Sequence, residues 1–146
     1  MKRLVFIIFL GVFFYACESA YDISMKSDHE VPSYKVLTDS LLVQPGQNIE
    51  IKVEVSDNKG LSTLVFAYDN WNIQESISLI DFGYPKTYLF TSTITIPVDA
   101  AKEWVEDLER NDGSVIKITQ RYHKLSLEAT DINLNVRNIP IYVKVQ

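Results

Sequence analysis

Residues 49–55 read Ile49-Glu50-Ile51-Lys52-Val53-Glu54-Val55, four β-branched apolar side chains alternating with three charged ones. That period of two is the pattern of an extended strand with one face on a core and the other in water. Its limits are marked on both sides. Gln44-Pro45-Gly46-Gln47 precedes it and Asp57-Asn58-Lys59-Gly60 follows, both turn-forming clusters.

Working outward, the same signature recurs. Residues 34–37 form a short first strand. Residues 61–68, apolar on both faces, suit a central strand buried on both sides. Residues 73–80 make a further strand, and Phe82-Gly83-Tyr84-Pro85 a loop. In 88–96 Tyr88, Phe90, Ser92, Ile94 and Ile96 share one face. Residues 115–118 are extended, His123, Leu125, Leu127 and Ala129 alternate, and 131–138 turn. Ile139, Ile141, Val143 and Val145 then form a strand whose Pro140 suits a sheet edge.

One stretch changes period. Ala100, Trp104 and Leu108 recur every four residues, with Asp99 placed as an N-cap and Asn111-Asp112-Gly113 closing the segment, which predicts a short amphipathic helix with Trp104 in the core. The expected fold is therefore all-β: an immunoglobulin-like antiparallel β-sandwich of about seven strands with one short helical insertion.

The N-terminus carries a different message. Lys2-Arg3 is followed by an uncharged apolar run from Leu4 to Phe14, the layout of an export signal and too short for the roughly 20 residues of a membrane-spanning helix. Phe14-Tyr15-Ala16-Cys17 resembles a bacterial lipobox, in which the cysteine becomes the first mature residue and carries acyl chains. Residues 1–16 are then a lipoprotein signal peptide, 17–32 a lipidated tether and 33–146 the sandwich domain. Acyl burial at about 0.8 kcal/mol per CH₂ makes two or more chains a stable anchor. Cys17 is the single cysteine, so no intrachain disulfide can form.

The net charge of −5 becomes −7 once Lys2 and Arg3 are removed. An acidic balance argues against a nucleic-acid partner, which requires a basic footprint. No phosphate loop, HExxH or G-x-S-x-G is present, no cofactor fingerprint is found, and the chain is expected to be non-enzymatic. Asp131-Ile-Asn133-Leu-Asn135 begins like a calcium loop but has Val136 and Tyr142 where Gly and Glu are needed, so no metal is assigned. Asp57 and Asp131 read as turn-forming side chains, with a shared ion at one sandwich end as the alternative. His123 is expected to be a structural imidazole.

Binding is suggested by aromatic residues set among polar ones. Tyr68-Asp69-Asn70-Trp71-Asn72 places an indole at a strand end, and Tyr84 stands in an aromatic loop. Sugar C–H faces pack on such rings while Asp69 and Asn70 bond hydroxyls, so Trp71, Tyr84, Asp69 and Asn70 are the candidate ligand residues.

Pro45-Gly46-Gln47, Val55-Ser56-Asp57-Asn58-Lys59-Gly60-Leu61, Ile96-Pro97-Val98-Asp99-Ala100 and Leu125-Ser126-Leu127-Glu128-Ala129-Thr130-Asp131 together resemble a family of Bacteroidota cell-envelope lipoproteins with an immunoglobulin-like domain and no assigned function. Relative to that pattern, residues 102–120 are an insertion, and Asn133-Leu134-Asn135 stands where Gly-Asn is usual. The resemblance implies an outer-membrane module held by its lipid anchor, on the periplasmic face or the cell surface, that presents the domain to a protein or glycan partner. It carries no catalytic residues. The alternative is a dedicated glycan-binding lipoprotein of a polysaccharide-uptake system.

Overall fold

The computed structural model describes residues 29–38 and 41–146. The signal peptide, Cys17 and most of the tether lie outside the described residues. The described residues form ten strands: β1 (Ser33–Val36), β2 (Leu42–Val43), β3 (Asn48–Ser56), β4 (Leu61–Tyr68), β5 (Ile73–Ser78), β6 (Thr87–Thr95), β7 (Trp104–Glu109), β8 (Val115–Gln120), β9 (His123–Asp131) and β10 (Val136–Val145). They form a three-stranded sheet in the order β1-β3-β6, a five-stranded sheet in the order β2-β10-β9-β4-β5, and a separate two-stranded ribbon, β7-β8.

The alternation in residues 49–55 does what its period dictates. Ile49, Ile51, Val53 and Val55 are buried, while Glu50 and Glu54 face water. The opposing sheet supplies Leu64, Phe66, Leu125, Leu127, Ile139, Ile141 and Val143, and the rings of Phe66 and Phe90 meet across the two layers at 5.4 Å. The result is an all-β, sandwich-like fold.

Three details differ from the sequence reading, each for a local reason. Strand β4 is central, between β9 and β5, but only one face is fully buried. Its register slips between Leu61 and Thr63, and this bulge lets both Leu61 and Leu64 point inward although they are an odd three positions apart. Ser62, displaced by the slip, donates its hydroxyl to the carbonyls of Thr130 (3.0 Å) and Asp131 (2.8 Å). Pro140 sits within β10, whose outer side meets β2 only at Lys144 and Val145, so its missing N–H falls on an open edge. Strand β10 begins at Val136, earlier than the turn reading implies.

The third difference is the larger one: no helix forms over residues 99–108. Trp104 begins strand β7, which pairs with β8 from Trp104↔Gln120 to Glu109↔Val115. A spacing of four keeps Trp104 and Leu108 on one face of a strand as well as of a helix, so it could not separate the two periods. The turn chemistry decides. Gly113 takes φ +79°, and Asp112 accepts from the backbone and hydroxyl of Ser114 at 2.9 and 2.6 Å.

Candidate functional site

Strands β4 and β9 run antiparallel, so the end of one and the start of the other place Tyr68 beside His123 at one extremity of the sandwich. After Tyr68 the chain makes a single 3-10 turn, Asp69–Trp71, closed by Asn72 in the left-handed region at φ +52°. This corner folds Trp71 back over the core. Its indole packs edge-on to Tyr68 at 5.1 Å and against the imidazole of His123 at 4.4 Å. On the other side Trp104 lies 4.6 Å from the same ring. His123 is thus held between two indoles and is only 4% exposed.

The hydrogen bonds around it have a fixed direction. The Ala101 carbonyl, 2.8 Å from Nε2, can only accept, so Nε2 carries a proton. In the neutral ring Nδ1 then accepts from the Tyr68 hydroxyl at 2.7 Å, and that hydroxyl oxygen accepts from Nδ2 of Asn70 at 3.1 Å. Both ring nitrogens are satisfied. Burial pushes the Tyr68 hydroxyl above the ordinary tyrosine value; the Asn70 bond opposes this and the nearby charge of Glu106 adds to it.

Two hollows flank Trp104. The smaller, about 210 Å³, lies over the core end between Trp71, Pro97, Ala100 and Trp104. The larger, about 470 Å³, is walled by Tyr68, Trp104, Tyr122 and Tyr142 and edged by Asn70, Glu106, Gln120 and Lys124. Only the second falls in the range of about 300–1,000 Å³ usual for small-molecule sites. Lys124 and Tyr142 are direct cross-strand partners on the outer face of β9 and β10. The ribbon supplies the facing wall: the Trp104 indole N–H donates to Glu106 at 2.7 Å, and the Gln120 amide donates to the same carboxylate at 3.1 Å. Tyr142 remains 54% exposed. Rings that pack and side chains that donate and accept thus converge on one open cleft.

The four residues singled out from sequence do not form one site. Trp71 is half-buried and serves mainly to wedge His123. Asn70 edges both hollows. The carboxylate of Asp69 is exposed and lines neither. Tyr84 lies near the start of β4, whereas Trp71 follows its end, and eight strand residues separate such positions by about 25 Å. Trp104, Tyr122 and Tyr142 were not legible as ligand residues. The hairpin signal of Asp112-Gly113 was the one sign that could have moved Trp104 from a helical core to a cleft wall.

The two acidic turns are internally bonded. One Asp57 oxygen accepts from the N–H groups of Lys59 and Gly60, both at 2.8 Å. Asp131, fully buried, accepts from the N–H groups of Asn133 and Asn135 and from the Asn135 amide. No cluster of three or more metal-ligating side chains occurs among the described residues. No helix among them is long and apolar enough to cross a membrane. No family model, curated protein or solved structure matches this chain.

Proposed function

We propose that this chain is a non-enzymatic binding module of the bacterial envelope, tethered to the outer membrane through acyl chains on Cys17, whose cleft beside Trp104 takes a glycan. The observation that carries the glycan reading is the composition of that cleft: four aromatic rings with Asn70, Gln120, Glu106 and Lys124 at their edges. Pyranose rings present both C–H faces and hydroxyls, and such a mixed wall meets both. The candidate base argues for binding over chemistry. His123 is sealed between two indoles with each nitrogen committed, and a general base needs reach to a reacting proton.

The test is retention of the full chain on a panel of immobilised polysaccharides. Tyr142→Ala should weaken retention about tenfold or more, as loss of a central aromatic contact does. Failure of the wild type to bind any polysaccharide would end the glycan reading. A second reading, a protein partner, is favoured by the ribbon, which exposes Val105, Leu108 and Val115.

A further inference from the structure

Residues 57–60, 79–86 and 132–135 meet at the end of the sandwich opposite the cleft. They are tied together by the Asp57 N–H donating to the Lys86 carbonyl (2.8 Å), Leu61 N–H to Pro85 (3.0 Å) and Ile132 N–H to Gly60 (3.0 Å). At this end Ile80, Phe82, Tyr84, Ile132 and Leu134 are exposed. Four of them border one depression of about 520 Å³, so they form a patch rather than scattered side chains.

Two of these residues carry a conformational cost as well. Leu134 is 79% exposed at φ +66°, and Tyr84 adopts φ +55°. The left-handed region favours Gly or Asn, and a solvent-facing turn favours polar side chains. Folding alone therefore gains nothing from leucine at position 134. A residue that is both strained and exposed points to a use outside the fold.

The chain enters the domain at this same end. Asn58 donates to Glu30 at 2.8 Å, Arg137 Nε donates to the Pro32 carbonyl at 3.0 Å, and Ser33 pairs with Ser56. Twelve positions separate Cys17 from His29, and a chain of that length spans at most about 40 Å. Anything bonded to Cys17 is held within that reach of the end where the chain enters, which raises its effective concentration there. Lys59, Lys86 and Arg137 at this end are offset by Glu30, Asp57, Asp81 and Asp131, so attraction to a surface would be apolar rather than electrostatic.

We infer that this end is a bilayer-contacting surface: Phe82, Ile80 and Leu134 enter the boundary between headgroups and acyl chains, standing the sandwich on the membrane with the aromatic cleft facing away. This rests on the Cys17 anchor of the proposed function. Short apolar loop tips beside a lipid anchor add the second contact that fixes orientation.

Brominated lipids test it, because Trp71 and Trp104 both lie at the far end and act as an internal control. The full chain, isolated with whatever modification Cys17 carries, is mixed with phosphatidylcholine vesicles containing brominated acyl chains. Wild-type emission should be unchanged, and the added indole of Phe82→Trp or Leu134→Trp should lose about half its emission or more, with little dependence on salt. Added indoles that stay unquenched would overturn the surface, and so would quenching of the wild type, which would put the cleft at the bilayer. Indoles shielded from iodide in native membranes but not in pure lipid vesicles would assign the patch to a protein and overturn it as well. Mass spectrometry of Cys17 reads the anchor separately, so failure of one is distinct from failure of the other.

Discussion

The Tyr68 hydroxyl donates to Nδ1 of His123 across 2.7 Å, and this bond joins the corner after β4 to the start of β9. Its removal leaves a buried acceptor without a donor. Tyr68→Phe should lower stability by about 1–3 kcal/mol in urea denaturation, with a smaller effect for Asn70→Ala, whose amide is exposed.

Burial of the Tyr68 hydroxyl sets an alkaline limit. The Tyr68 pKa is raised above the ordinary value of 10.0, so the folded state holds its proton more tightly than the unfolded state. The resulting stability is fully present below pH 10 and is lost as pH rises through the folded pKa. Denaturation midpoints measured from pH 8 to 11 should fall at the top of that range. Tyr68→Phe should flatten its share of the fall, and an unchanged profile in the variant would remove Tyr68 from the explanation.

Gly60 is the most constrained of the described glycines. It has φ +134°, and a Cβ there would lie 2.5 Å from the Tyr84 carbonyl oxygen, which is backbone and cannot swing away. Gly60→Ala should destabilise by about 3 kcal/mol or more. Gly113 also has positive φ but opens onto empty space, so Gly113→Ala should cost about 1 kcal/mol. Thermal melts of the pair separate steric conflict from backbone preference.

Leu134→Asn should raise stability by about 0.5–1 kcal/mol, since asparagine tolerates the left-handed backbone and the leucine side chain contributes little burial. A destabilised variant would show that Leu134 packs in the folded domain and would remove the conflict between folding and exposure.

Asp131 answers the calcium question by experiment. With both oxygens accepting from the turn, calcium or a chelator should leave the melting temperature unchanged, while Asp131→Ala should cost about 1–3 kcal/mol by leaving the partly buried donors of the turn without an acceptor. A calcium-dependent rise in the wild type would contradict this arrangement.

Strand positions were legible wherever a single period spoke clearly. Residues 49–55 alternate without exception, and β4, β6 and β9 follow within a residue or two of their expected bounds. What could not be read was long-range: the slip that turns Leu61 inward, the parallel pairing of Leu42–Val43 with β10, and the ribbon that a four-residue spacing disguised as a helix. The cleft shared that fate. Tyr122, Tyr142 and Trp104 are far apart in sequence and polar or apolar by turns, and only the register of β9 with β10 and the docking of the ribbon on His123 bring them together. Asn70 was visible because its corner is local.

Strand β10, the latest of the ten to be synthesised, is an interior member of its sheet, gripped by β9 along its length and by β2 at its far end. Its Ile139, Ile141, Val143 and Val145 complete the hydrophobic interior. A nascent polypeptide lacking these residues has no closed core to settle into, so folding must wait for them and proceeds through non-local pairings that form slowly. Such a delay leaves the earlier strands with unpaired edges and open apolar faces until β10 emerges, the interval in which mispairing and aggregation compete with folding.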